Sequence, residues 1–242
     1  MITTASFLYA AYLLSDDSIP CSQADEMIVE SWQSSDAFHK VFLRAGEYFA
    51  EYDYRAYYCY DASGLGRLHR KGAPGSLCLS TPGTGTPAYR INGEDAVPFA
   101  IVPAIKYNGH WLSGADPEVI HQVSGHGTNE ESSFMEINCI WPGKAEAESR
   151  YFLNKEGLQI IVESSGETGL IIPAFFFDGE VNTIISATSR RLSIKYRNRE
   201  CIWQTDQGTL CNTGETGYNR NGHYKLFRVE AAGLLTVKVT IV

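Results

Sequence analysis

The sequence predicts a mainly β protein: a large antiparallel β-sandwich over residues 39–242, preceded by a short helical segment over residues 1–38. Three observations carry this prediction. From residue 37 onward the apolar residues recur with a period near 2, the spacing of a strand with one buried face. Turn signals then punctuate the chain at intervals of roughly eight to twelve residues, as in sandwiches and barrels. Between residues 97 and 242 no stretch carries the periodicity of an amphipathic helix. With 242 residues, 44% of them hydrophobic, the chain can bury one large core.

Taken in order, the first element is a helix expected over residues 2–14, where Phe7, Leu8, Ala11 and Tyr12 recur with helical spacing and Ser15-Asp16-Asp17 marks a stop. Its apolar stretch has no basic flank, which argues against a signal peptide, and it is too short to cross a bilayer as a helix. A cytoplasmic protein without a membrane partner is expected, or a periplasmic or secreted one if the chain is part of a longer protein. A second helix is expected over residues 22–32, with Ala24, Ile28 and Trp32 on one face and Asp25 and Glu26 in the first turn, where they suit the helix dipole.

Residues 47–80 concentrate the chemistry. The string EYFAEYDYRAYYCYD alternates, placing Tyr48, Tyr52, Tyr54, Tyr58 and Tyr60 on one face of a strand and Glu51, Asp53, Arg55 and Cys59 on the other. Gly64, Gly66, Gly72, Pro74 and Gly75 then break the pattern, so Arg67, His69, Arg70 and Lys71 are expected on a turn, followed by a short apolar strand over residues 76–80. No Lys-Ser/Thr pair follows the glycines and no helix opens there, which excludes a phosphate loop. Arg67, Arg70 and Lys71 instead suit a carboxylate or sulfate, and His69 suits proton transfer near neutral pH. Tyr60, beside the glycines, is a candidate acid or base whose pKa nearby cations would lower, and Tyr58 belongs to a stripe that can form a platform for sugar rings. The competing reading is a hairpin of solvated cations beside tyrosines packed as half-buried core.

A connection rich in Pro, Gly and Thr follows over residues 80–95. Strands are then expected at 99–107 and 110–112, joined by an Asn108-Gly109 hairpin turn, and at 119–124, 132–141, 148–153, 158–164 and 169–177. Further strands are expected at 183–187, 191–196, 201–205, 224–229 and 234–242, with loops at 154–157, 178–179 and 206–208.

A net charge of −8 and a pI near 5.3 argue against a nucleic-acid partner, although a local basic patch can still hold a polyanion. The six cysteines form no C-x-x-C pair, which excludes a zinc ribbon, and neither a metal nor another cofactor is expected. Cys59, Cys78 and Cys139 sit in apolar runs as structural thiols, consistent with a reducing compartment, while the even count leaves disulfides open. His121 and His126 fall on opposite faces of a strand and, with His110, are expected on the surface or in loops rather than on a metal. There is no Gly-x-Ser-x-Gly elbow and no dinucleotide fingerprint. Loop carboxylates around Asp95 and Asp116 leave an enzyme of unrelated class as a weaker reading.

The string DYRAYYCYDASGLGRLHRKGAPGSLCLSTP, residues 53–82, resembles the start of the C-terminal β-sandwich in heparinase II/III-like polysaccharide lyases, which are built as a helical toroid followed by an antiparallel sandwich. The resemblance implies that the N-terminal segment is a remnant of the toroid and that the ligand is an acidic polysaccharide or oligosaccharide. It also implies β-elimination at a uronic acid: the carboxylate is neutralised, a tyrosine or histidine takes the C5 proton, and a tyrosine protonates the leaving oxygen. His69 is the position that matches the histidine supplied by an early strand of the sandwich. Here it reads His69-Arg70-Lys71-Gly72, where the family carries a histidine-rich H-x-H-x-D string. Because the toroid supplies the remaining site groups, the resemblance implies a helical partner domain, separately encoded or missing, and a chain that is incomplete alone. The alternative is a carbohydrate-binding or structural sandwich module without chemistry.

Overall fold

The computed structural model describes residues 27–34, 38–56, 61–79, 82–83, 90–91, 94–95, 97–177, 183–219 and 221–242. The first sheet is an antiparallel meander of β1 (Ile28–Ser34), β2 (Phe38–Ala45), β3 (Tyr48–Asp53) and β4 (Gly64–Arg70). Alternation dictates its faces: Val41, Leu43, Ala45, Tyr48, Ala50 and Tyr52 point into the core, while Phe42, Phe49 and Glu51 point away. β5 (Arg90–Ile91) and β6 (Glu94–Asp95) form a small separate ribbon.

The second sheet contains β7 (Val102–Tyr107), β8 (His110–Ser113), β9 (Ile120–Thr128), β10 (Ser133–Trp141), β11 (Ala145–Asn154) and β12 (Gly157–Phe177). It is completed by β13 (Ile184–Ala187), β14 (Arg191–Tyr196), β15 (Arg199–Thr205), β16 (Thr209–Asn219) and β17 (Gly222–Ile241). Its main order is β13-β14-β15-β17-β12-β11-β10-β9, with β16 on β17 and β7 on β12. The long pair β12 and β17 forms the spine. One half of β12 pairs with β11; beyond an irregularity between Glu163 and Glu167 the other half pairs with β7. The inward residues of both sheets merge in one core, which includes Leu43, Tyr52, Leu68, Ile137, Ile160 and Val237. This is the layering of a β-sandwich, antiparallel throughout.

The Asn108-Gly109 hairpin forms as expected between β7 and β8, both residues taking positive φ, 50° and 81°. Two expectations are corrected. The helix at residues 22–32 is a strand over its described part: β1 pairs along its whole length with β2, and the β-branched Ile28 and Val29 gain more from that ladder than a lone helical turn gains. Among the described residues there is no helix, and residues 1–26, which carry the first expected helix, lie outside them. The second correction concerns Arg67, His69 and Arg70, which lie on β4 rather than on a turn. The glycines that suggested a turn are places of close approach: a Cβ on Gly64 would meet Val102 Cγ1 at 2.2 Å, and one on Gly66 would meet Pro82 Cδ at 2.7 Å.

Candidate functional site

β3 and β4 pair Glu51 with Arg67 and Phe49 with His69, so these four side chains share the face of the first sheet turned away from the core. β2 adds Lys40 and Phe42, opposite Asp53 and Glu51. Glu51 receives two cations, Lys40 at 2.5 Å and Arg67 at 3.1 Å, and Lys40 also reaches Asp53 at 3.4 Å. Burial pulls the Lys40 ammonium down, but the Glu51 hydrogen bond and the charges of Glu51, Asp53 and Asp61 outweigh it and hold the pKa above the ordinary lysine value. Desolvation, the largest influence on each, raises the Asp53 and Asp61 carboxyls from the ordinary aspartate value. Phe42 stacks on Phe49 with ring centroids 6.0 Å apart, and Trp32 is exposed on the neighbouring strand.

His69 is half-buried at the edge of this cluster. Its Nε2 lies 3.1 Å from the Ala73 carbonyl, which can only accept, so Nε2 carries the hydrogen. In the neutral ring that leaves Nδ1 with the free lone pair, the form a general base needs. Arg67 projects from the same face two residues away. Arg70 points the other way: its Nε binds Glu47 at 3.1 Å, an NH1 proton goes to the Ile241 carbonyl, and the guanidinium lies 5.7 Å from the Tyr48 ring. It therefore clamps the last strand, together with Tyr48, whose hydroxyl donates to Ile241 O and accepts from Ile241 N. Lys71 is exposed in the turn after β4. Tyr58 and Tyr60 lie outside the described residues, as does Cys59.

One polar group escapes the sequence reading. His121 was expected on the surface, but it is only 5% exposed and points into the core from β9. Its Nε2 donates to Gly114 O at 2.8 Å, so Nδ1 accepts the Tyr52 hydroxyl at 2.7 Å, joining the two sheets. Burial lowers the His121 pKa from 6.5 to about 4. It pushes the Cys139 thiol up to about 12 and the Tyr52 and Tyr151 hydroxyls above the phenol range. The cluster is therefore neutral and closed to a polymer, which makes it architecture. Alternation carried a signal for it, since His121 shares its strand face with Val123 while Gln122 and His126 face out. His126 and His110 are exposed, as expected.

Cys78, Cys139, Cys201 and Cys211 are free thiols, the first three buried. Among the described residues no three His, Cys, Asp or Glu side chains are grouped to hold a metal ion, and no helix is long and apolar enough to cross a membrane.

No protein-family model matches the chain, and no curated protein matches its sequence. Solved structures do match its fold. The heparan sulfate lyase HepC from Pedobacter heparinus superposes with a TM-score of 0.63 at 11% identity, covering 99% of this chain and 41% of that one. A heparinase III superposes at 0.59 with 10% identity, covering 99% of this chain and 40% of that one. The 4-α-glucanotransferase from Thermococcus litoralis reaches 0.50 at 8% identity, over 89% of this chain and 39% of that one. The fold is thus a heparinase-like β-sandwich. The chain spans about two fifths of the length of the heparan sulfate lyase and the heparinase III it matches.

Proposed function

We propose that the chain is the β-sandwich part of a polysaccharide lyase relative that acts on acidic polysaccharide by β-elimination and is catalytically incomplete alone. The observation that carries this reading is the superposition of nearly the whole chain on the heparan sulfate lyase. His69 supports it, presenting a free ring nitrogen beside Arg67 on an outward sheet face. In the reaction a base takes the C5 proton, the C5–H electron pair forms the C4=C5 double bond, and the C4–O bond breaks with its oxygen protonated. Here His69 takes the base role, with Arg67 and Lys71 facing the carboxylate and Tyr60 and Tyr58 serving as acid and sugar platform. The resemblance assigns an asparagine and a tyrosine of such a site to the helical toroid, and a lone proton-transfer group without its positioned partners keeps little of its effect.

A second reading, a carbohydrate-binding module without chemistry, is favoured by the engagement of Arg67 with Glu51 and of Arg70 with Glu47, which leaves less free positive charge at His69. Absorbance of the unsaturated uronic product, followed with heparan sulfate, chondroitin sulfate and alginate, separates the two. The lyase reading predicts slow product release from at least one substrate and a loss of about tenfold or more in His69→Ala. Equal rates for wild type and His69→Ala would remove His69 from the chemistry, and no product from any substrate, with the chain alone and with a helical toroid domain supplied, would leave the binding module.

A further inference from the structure

The outward face of the second sheet is divided by charge. Toward β10, β11 and β12 it holds a shallow depression lined by Glu146, Glu148 and Glu163 together with Asn138. Toward β14, β15 and β17 the register aligns Arg191, Gln204 and Lys238 in one cross-strand row, continued on β12 by Gln159. Their sequence neighbours Leu192, Trp203, Val239 and Leu158 are buried, so the row faces out. It runs on through Phe152 to Phe134, whose ring centroids lie 6.1 Å apart.

Two depressions meet on this row and share Lys238. One is lined by Arg190, Arg191, Gln204, Thr205, Asp206 and Thr236, the other by Asn154, Glu156, Gln159 and Thr240. In a chain of net charge −8, residues 190–206 carry five cations, Arg190, Arg191, Lys195, Arg197 and Arg199, against two carboxylates, Glu200 and Asp206. Glu200 is shared by Arg191 and Lys195 at 3.7 Å each.

We infer that this row is a glycan-binding strip, distinct from the His69 face, which holds an anionic polysaccharide across the strands. The inference rests on the proposed reading only for the acidic character of the ligand. Arg191 and Lys238 stand two strands apart, about 10 Å at ordinary strand spacing, so they offer positive charge at an interval along a bound chain. Gln204, Gln159 and Asn154 offer amides to the hydroxyls between the charged groups. The Phe152 and Phe134 rings give an apolar patch for the CH faces of the sugars. Arg150 pairs with Glu148 at 3.3 Å and with Glu163 at 3.4 Å, so with Glu146 the other half of the sheet keeps a net negative charge that disfavours the same ligand there.

Isothermal titration of the full chain with heparan sulfate and with alginate tests the strip, with a neutral dextran as reference. Arg191→Ala/Lys238→Ala is expected to lower affinity for an acidic glycan about tenfold or more and to flatten its salt dependence. Glu148→Gln/Glu163→Gln should not weaken binding, and circular dichroism should show both variants folded. Unchanged affinity in the Arg191/Lys238 variant, equal binding of dextran, or no binding of either acidic probe would overturn the strip. Strip binding without unsaturated product, even with a helical toroid domain supplied, refutes the lyase reading alone; product from a chain whose Arg191/Lys238 variant binds normally refutes the strip alone.

Discussion

His121 ties the two sheets together through one neutral ring, and its burial makes that joint sensitive to acid. Its folded pKa of about 4 lies below the ordinary 6.5, so the unfolded chain takes up the proton first as pH falls. The stability this group contributes is full above pH 6.5 and is lost as pH drops toward 4, about 3 kcal/mol in all. Asp53 and Asp61 act in the opposite sense: their raised values favour the folded state at low pH and cost stability as pH rises through the carboxylate range. Urea unfolding at a series of pH values should therefore show a decline between pH 6.5 and 4 in wild type that His121→Phe lacks, even if the variant is less stable throughout. A decline of the same size in both proteins would place the acid sensitivity elsewhere. The sequence hid this residue for a physical reason, since a lone histidine in an alternating strand reads as solvated unless its face is compared with that of Val123.

At the scale of the element, β4 shows how a correct residue can be placed on the wrong structure. Gly64 and Gly66 have the composition of a turn, yet each serves a strand that passes close to another segment: Leu65 bridges Ile101 directly, and Gly64 sits against Val102 with φ of 134°. Gly64→Ala adds both a positive-φ strain and a clash, and should cost about 3 kcal/mol, read as a clear drop in Tm. An unchanged Tm would mean that β4 is not held at this distance. Turn chemistry was legible where it acts locally, as at Asn108-Gly109 and at the Asn154–Gly157 hairpin, because the φ preference belongs to the residue itself. β1 was misread because its strand character comes from pairing with β2, a partner that helical spacing in residues 22–32 does not reveal.

At the scale of the whole molecule, the alternating pattern after residue 37 identified the antiparallel sandwich, because a two-layer β fold writes its buried face directly into the chain. What it did not give was the continuity of β12 and β17, each read as two runs, since Gly166 and Gly233 interrupt the apolar pattern without ending the strand. For the candidate site, His69 and Arg67 were found as residue types. Their carboxylate neighbours Glu51 and Asp53 and the row through Arg191, Gln204 and Lys238 depend on cross-strand register, which no local spacing encodes. Affinity electrophoresis in gels containing heparan sulfate, chondroitin sulfate, alginate or a neutral glucan tests most directly whether the ligand is an acidic polysaccharide. Mobility should fall in at least one acidic gel, recover with added salt and stay unchanged in the neutral one; unchanged mobility in every acidic gel would contradict the account.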